Sequence, residues 1–163
     1  MNNKDLEKAF VEMIHRYERV IYKVCSFYVS EEHPMADLYQ ETVYNLWKGY
    51  SKFRGDSSES TWIYRIALNT CISGLRKEKS KPEKTSLSVF ENLFTETDNT
   101  EEDNIREMYR LIRQLKSLER AVVLLYLEEK SYQEIADITG LTLSNVATKL
   151  KRTKLKLKKM SEQ

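Results

Sequence analysis

Apolar residues recur every three or four positions over most of the chain, and this spacing predicts α-helices. Seven of them form one stripe on a long first helix: Leu6, Phe10, Ile14, Tyr17, Ile21, Val24 and Tyr28. Partial periodicity predicts a second helix over 35–48, and a third is predicted over 61–79. The positions expected to face inward on the third helix are Trp62, Ile66, Ala67, Thr70 and Leu75.

The same period returns after position 104 and predicts further helices up to about position 157. The inward face of the first of them is marked by Ile105, Met108, Leu111, Ile112 and Leu115. The next is predicted from Leu118 to Glu129, with four residues buried: Ala121, Val122, Leu124 and Leu125. Ser131 and Glu134 have the spacing of a capping box, in which each side chain bonds the other residue's backbone N–H at a helix start. Gly140 supplies a turn, and Thr142 or Ser144 caps the last helix. No strand or hairpin pattern occurs, so the sequence predicts an all-α protein.

Charge is unevenly distributed along the 163 residues, although the net charge is only +2. The formal charge is +1 over 1–79, −5 over 80–103 and +6 over 104–163. The middle segment is polar and too long for an ordinary loop inside one domain. We therefore expect two small helical domains, over 1–79 and 104–163, joined by a flexible acidic linker over 80–103.

Several classes of protein are disfavoured by motif and composition. Cys25 and Cys71 form neither a disulfide framework nor a CxxC metal pair, and we expect both to be small buried hydrophobes. His15 is expected to be exposed, and no catalytic signature or titratable cluster occurs, so no enzyme, cofactor or metal site is predicted. The chain has no apolar run of membrane length and a polar N-terminus, which indicates a cytoplasmic protein without membrane insertion.

The strongest functional signal is a helix-turn-helix pattern over 131–159. Its second helix carries four outward polar residues: Thr148, Lys149, Lys151 and Arg152. Seven basic residues and no acid lie between 149 and 159. Motifs of this type place the second helix in the major groove of DNA, where basic side chains reach bases and phosphates. The plainer interpretation is a solvated lysine-rich helix, and the coincidence of charge and motif favours DNA binding.

A second unusual segment combines aromatic, basic and amide side chains on the third helix and in the loop before it. Aromatic rings stack on unpaired bases, basic groups hold phosphates, and an amide such as Asn69 bonds a base edge. Spacing alone does not separate this function from an ordinary core, and Trp62 and Tyr64 fit either interpretation.

These residues resemble the bacterial extracytoplasmic-function (ECF) sigma factors. The strings Asp37–Thr42, Phe53–Ser57 and Thr61–Thr70 are similar to region 2 of that family, and Leu115–Ala136 with Val146 is similar to region 4. The two stretches occur in the family's order and cover nearly the whole chain. The resemblance implies a region-2 helical bundle and a region-4 helix-turn-helix domain.

The resemblance also implies partners and site residues. Core RNA polymerase would contact Asp37, Leu38, Gln40, Glu41 and Thr42. The −10 element of promoter DNA would contact Phe53, Arg54, Gly55, Asp56, Ser57, Trp62, Arg65 and Asn69. The −35 element would contact Thr148, Lys149, Lys151 and Arg152. An anti-sigma factor is a further partner expected from the family.

The expected function is therefore that of an RNA polymerase sigma factor, which directs promoter recognition and DNA melting. The alternative is a stand-alone helix-turn-helix regulator, which would explain the basic C-terminal helix but not the strings at 37–42 and 53–69. A third class, a protein-interaction module with an incidental basic tail, would bind no DNA. Ala147 departs from the longer side chains common in the family, so the −35 sequence cannot be carried over.

Overall fold

The computed structural model describes residues 2–76 and 100–163 of the chain. Over these ranges every regular element is a helix, which confirms the all-α prediction. The helices are α1 (Asn3–Ser26), α2 (Met35–Tyr50), α3 (Glu59–Arg76), α4 (Thr100–Ile112), α5 (Ser117–Leu127), α6 (Tyr132–Thr139) and α7 (Leu143–Ser161).

The chain divides into two compact units, Met1–Thr85 and Ser86–Gln163. The predicted linker over 80–103 lies outside the described residues as far as position 99. Its last four positions already belong to α4, which begins at Thr100. The N-terminal unit therefore contains α1 to α3, and the C-terminal unit contains α4 to α7.

In the N-terminal unit the three helices pack against one another in all three pairs. Their shared core consists of apolar side chains from each helix: Phe10, Met13, Ile21 and Val24 from α1, Leu38 and Leu46 from α2, and Ile63, Ala67 and Leu68 from α3. The turn after α1 adds Phe27, Tyr28 and Val29 to this core. Burial of these side chains from water is the main stabilising contribution of the unit.

The inward face of α3 differs from the predicted stripe. Ala67 and Thr70 are buried as expected, whereas Trp62 and Ile66 are only half-buried. Ile63 and Tyr64 were not expected to face inward, but both are buried. The reason is that α3 packs against both α1 and α2. Its buried face is therefore wider than the stripe predicted from helical periodicity, and it is shifted toward Ile63 and Tyr64.

In the C-terminal unit the longest run of buried residues, 120–125, lies on α5. Ala121, Val122, Leu124 and Leu125 are buried as predicted. They pack with other apolar side chains that are buried in the unit: Ile112, Leu115, Ile135, Ile138, Val146 and Leu150. On α4 the prediction was wrong for Ile105 and Met108, which are exposed. Only the last turn of α4 reaches the core, so its earlier apolar positions have no neighbour to bury them.

The helix-turn-helix begins and ends as its sequence predicts. Ser131 Oγ accepts from the backbone N–H of Glu134, and Glu134 Oε1 accepts from the backbone N–H of Ser131, which completes the capping box. Gly140 ends α6 with a φ of +80°, a conformation that glycine adopts without steric cost. Thr142, rather than Ser144, caps α7 by accepting from the backbone N–H of Asn145.

A buried arginine connects α4 to α5. Nη2 of Arg120 donates to the backbone carbonyls of Arg113 and Leu115, at 2.7 and 2.9 Å, and so satisfies two acceptors in the turn between the helices. Burial, together with the charge of Arg120, lowers the pKa of Arg113 to about 10. Arg120 is therefore a structural residue of this unit.

Replacing Arg120 with alanine should destabilise the chain by about 2 kcal/mol, because two buried carbonyls lose a charged donor. The measurement is the urea midpoint of the full-length protein followed by circular dichroism. The control is Arg110→Ala, which removes an exposed ion pair with Glu107 and should leave the urea midpoint almost unchanged. Equal losses in the two variants would contradict the structural role of Arg120.

Candidate nucleic-acid and partner-binding surfaces

The outward face of α7 follows from its inward face. Val146, Leu150 and Thr153 are buried against the unit, so the residues between them turn outward. Of the predicted contact residues, Thr148, Lys151 and Arg152 are exposed and Lys149 is half-buried. No acidic residue occurs from Leu143 to Ser161, and the resulting surface suits a polyanion.

Two lysines of α7 have partners on α5. Nζ of Lys154 lies 3.9 Å from the ring centroid of Tyr126, a cation–π contact. Nζ of Lys156 donates to Oε1 of Glu119 at 3.2 Å. These contacts hold the C-terminal half of α7 against α5.

A pocket of about 380 Å³ lies beside the N-terminal half of α7. We call it the α7 pocket, and its lining residues are Glu119, Leu141, Asn145, Thr148, Lys149 and Arg152. It brings together three of the four residues predicted to contact the −35 element, and Lys151 is not among its lining. Sequence reasoning assigned no role to Asn145 or Glu119. Asn145 could have been identified from its position in the first turn of the predicted recognition helix. Glu119 lies on another helix, so no pattern within α7 pointed to it.

In the N-terminal unit, aromatic side chains form a row that crosses all three helices. The ring of Phe10 lies edge-on to Trp47 and Tyr50, at centroid distances of 5.0 and 5.3 Å. Tyr50 meets Trp62 at 6.4 Å, and Trp62 stacks on Phe53 at 4.8 Å with 25° between the ring planes. This aromatic row joins the loop at 51–58 to the core.

Gly49 permits this contact between α2 and α3. A β-carbon at this position would lie 3.3 Å from the ring of Trp62, closer than an ordinary contact. Trp62 and Phe53 therefore face each other, and each covers one face of its partner's ring. Phe53 and Trp62, two of the eight residues predicted to contact the −10 element, form one stacked pair that fixes the start of the loop.

The rest of the loop is short and polar. Gly55 has a φ of +78°, and Arg54 and Asp56 are exposed on either side of it. Oγ of Ser58 accepts from the backbone N–H of Thr61 and so caps α3. The α3 residues predicted to act with this loop differ in burial, since Arg65 is half-buried and Asn69 is exposed.

The predicted polymerase-binding string on α2 is divided by burial. Leu38 and Thr42 are buried, and Oγ1 of Thr42 donates to the backbone carbonyl of Leu38 at 2.8 Å, so neither presents a surface to a partner. Asp37, Gln40 and Glu41 are exposed. Leu38 and Thr42 therefore belong to the core side of the helix, and direct contact with polymerase stays a prediction for the three exposed residues.

Sequence reasoning missed one aromatic residue on the outer side of α2. Tyr44 is 58% exposed, with Nζ of Lys48 over its ring at 4.7 Å. The helical spacing of Asp37, Glu41 and Tyr44 was the signal that could have identified it. We call Asp37, Gln40, Glu41 and Tyr44 the polar α2 face.

The remaining candidate chemistry is structural. His15 is exposed, and both cysteines are buried and reduced, as predicted. A hydrogen bond with Cys71 lowers the pKa of Cys25 despite its burial. Within residues 2–76 and 100–163, no cluster of three metal-ligating side chains is found. In those ranges no helix has the combination of length and apolarity needed to cross a bilayer.

Comparison with known proteins places both units in one family. Residues 13–81 match sigma-70 region 2, and residues 105–157 match sigma-70 region 4. RNA polymerase sigma factor YlaC of Bacillus subtilis is 38% identical over 130 residues, which cover 76% of this chain and 75% of that protein. This chain belongs to the sigma-70 family of RNA polymerase sigma factors. The resemblance to ECF sigma factors is thereby confirmed.

Two further comparisons agree with this assignment. The ECF RNA polymerase sigma-E factor of Escherichia coli K12 is 29% identical over 161 residues, covering 91% of this sigma factor and 84% of that one. The sigma factor RpoE from Bartonella quintana, solved in complex with the anti-sigma factor NepR, aligns with a TM-score of 0.70. The alignment covers 98% of each chain at 17% identity, so it shows a common fold.

The stacked pair makes a spectroscopic prediction. In a Trp47→Phe background, in which Trp62 is the one tryptophan left, Phe53→Ala should uncover one face of the Trp62 ring. We expect its emission to move to longer wavelength and acrylamide to quench it more strongly. Loss of the ring contact should also cost about 1 kcal/mol of stability.

The matched control for this experiment is Tyr44→Ala in the same background. It also removes an aromatic ring, but from the exposed side of α2. Its Trp62 emission should equal that of the background protein. Unchanged emission in Phe53→Ala would mean that the two rings do not stack in solution.

Proposed function

We propose that this sigma factor directs core RNA polymerase to promoters through two separate surfaces. The N-terminal domain, over 1–79, binds polymerase and the −10 element, and the C-terminal domain, over 104–163, binds the −35 element. The observation that carries the proposal is the pairing, in one chain, of an outward basic α7 with an exposed loop held by the Phe53–Trp62 stack. The protein acts in the cytoplasm as a specificity factor rather than as an enzyme.

Polymerase docking is assigned to the polar α2 face. Its two carboxylates, Asp37 and Glu41, are one helical turn apart, with Tyr44 on the same side. An exposed aromatic ring beside charged groups is typical of a binding surface, because the ring contributes buried area and the charges select the partner. Leu38 and Thr42 support this face from inside the helix pair.

Recognition of the −10 element is assigned to the 51–58 loop and α3. A base that leaves the duplex loses stacking energy, so its capture requires a fitted pocket with hydrogen bonds. The stack of Phe53 on Trp62 holds the loop in place. Exposed Arg54, Asp56 and Asn69 then supply the polar contacts. Melting is selective because only a matching extruded base recovers the lost energy.

Recognition of the −35 element is assigned to α7. Thr148, Lys149 and Arg152 line the α7 pocket, where donors can reach the base edges of the major groove. Lys151, Lys158 and Lys159 are suited to phosphates, whose neutralisation makes binding dependent on salt. Each domain alone binds weakly, and their connection through 80–103 on one polymerase raises the effective concentration of the second contact.

A further partner is an anti-sigma factor that covers the same surfaces. The solved structure of RpoE with the anti-sigma factor NepR supports this part of the proposal by its fold. Both the polar α2 face and α7 present charged side chains that a protein partner can bind in competition with polymerase or DNA.

The first test is run-off transcription with bacterial core RNA polymerase and fragmented genomic DNA. Discrete transcripts that require this protein, with a common sequence pair upstream of their starts, are the expected result. Binding to a symmetric duplex site without polymerase, and no dependent transcripts, would instead establish the stand-alone regulator. Absence of DNA binding in both settings would leave a protein-interaction module.

Asn69→Ala should reduce open-complex formation about tenfold, the effect of losing about 1.4 kcal/mol of hydrogen bonding to the captured base. Its affinity for core polymerase should stay within about twofold of wild type, because α2 is untouched. Permanganate footprinting measures the melted bases. The matched control is Asn104→Ala, an exposed asparagine on α4. Loss of polymerase binding with normal melting would contradict the assignment of α3.

Glu41→Lys should weaken binding to core polymerase about tenfold or more, because it reverses a charge in the centre of the polar α2 face. The measurement is competition for core polymerase against a fluorescently labelled wild-type protein. Glu7→Lys makes the same reversal on exposed α1 and should bind as wild type. If both variants lose affinity equally, net charge rather than this face governs docking.

A further inference from the structure

An acidic side chain lies in the pocket of the otherwise basic α7 surface. Glu119 is in the first turn of α5, and its side chain is 17% exposed. Its Oε1 accepts from the backbone N–H of Lys116 at 3.1 Å and from Nζ of Lys156 at 3.2 Å. An ionised carboxylate offers about four acceptor positions, so these two bonds leave acceptor capacity on the side chain.

Glu119 stays ionised in this position. Burial by itself raises the pKa of its carboxyl group. The hydrogen bonds from Lys116 and Lys156, together with the charge of Lys149, outweigh that effect and hold the pKa below its usual range. At neutral pH the group is therefore a carboxylate, which accepts hydrogen bonds and donates none.

The other polar residues of the α7 pocket either donate hydrogen bonds only or can both donate and accept them. Lys149 and Arg152 only donate, and they suit the acceptor edge of guanine. Asn145 and Thr148 both donate and accept. Glu119 is the carboxylate of the set, and carboxylates in the major groove accept from the exocyclic amino group of cytosine. The pocket thus holds the groups needed for both members of a base pair.

We propose that Glu119 is a specificity-determining residue that accepts a hydrogen bond from an exocyclic base amino group in the −35 element. The inference rests on the proposed function, in which α7 enters the major groove there. Cytosine N4 is the expected donor, and adenine N6 offers the same chemistry. Guanine O6 or thymine O4 at that position would face a carboxylate and be repelled.

The inference predicts two opposite changes when the charge is removed. Preference for the amino-bearing base should fall, because alanine removes the acceptor and glutamine adds an amide donor that can also pair with guanine O6 or thymine O4. Binding to other sequences should strengthen, because a negative charge beside Lys149 and Lys156 no longer opposes phosphate attraction. A purely structural role, in which Glu119 only ties α5 to α7, would instead weaken binding to every sequence alike.

The experiment is run-off transcription by the holoenzyme from promoters with a randomised −35 element, read by sequencing the transcripts. Wild type is compared with Glu119→Gln, which keeps an acceptor for the helix cap, and with Glu119→Ala. The control is Glu107→Gln, which removes one charge from an exposed ion pair on α4. Circular dichroism melting confirms that each variant is folded.

Wild type and Glu107→Gln should prefer cytosine or adenine at one −35 position by about fivefold or more, the discrimination expected of one good base contact. Glu119→Ala should lose that preference and keep the preferences at other positions, whereas Glu119→Gln, which retains an acceptor and gains a donor, should also admit guanine or thymine there. Which amino base is enriched distinguishes the two donors. An unchanged profile in the Glu119 variants, or an equal loss at all positions, would overturn the inference. A wild-type holoenzyme without any −35 preference would overturn the proposed function as well.

Discussion

Each unit of this protein has so little interior that every helix buries one face and leaves the other to solvent. Small domains bury a smaller fraction of their surface than large ones, so nearly every inward position is needed for stability. Ile63 and Ala67 of α3 and Val146 and Leu150 of α7 meet this need. The outward faces of the same helices are then free to carry charge and amide groups. Stability and recognition are in this way properties of opposite sides of the same short helices.

The aromatic row shows how the N-terminal unit connects its core to its loop. Phe10 contacts two rings of α2, and Trp62 carries the contact on to Phe53. Each aromatic pair buries apolar surface and has a preferred ring geometry, so the row fixes the three helices and the loop relative to one another. The stack of Phe53 on Trp62 thereby fixes the start of the loop at 51–58. Its exposed polar residues gain orientation without being buried themselves.

The C-terminal unit uses charge in a similar double role. α7 carries seven basic residues from Lys149 to Lys159, but Lys154 and Lys156 are bound to Tyr126 and Glu119 of α5. These contacts stabilise the position of the helix, while Lys149 and Arg152 line the pocket beside its first turns. Arg120, one position after Glu119, is turned inward to the carbonyls of the α4–α5 turn. Neighbouring residues on α5 therefore serve the surface and the core.

Local sequence determined the helices, their caps and the charge of α7. The capping box at Ser131, the turn at Gly140 and the run of lysines each depend on residues a few positions apart, so periodicity and spacing were sufficient. The family motifs could be identified from the sequence for the same reason, because each is a short continuous segment. Only the tertiary structure decided which side chains come into contact. Phe53 meets Trp62, and Glu119 meets Lys156, because packing brings their separate elements together. The same packing buried Leu38 and Thr42 and exposed Ile105, because a helix's buried arc depends on its neighbours as well as on its own period.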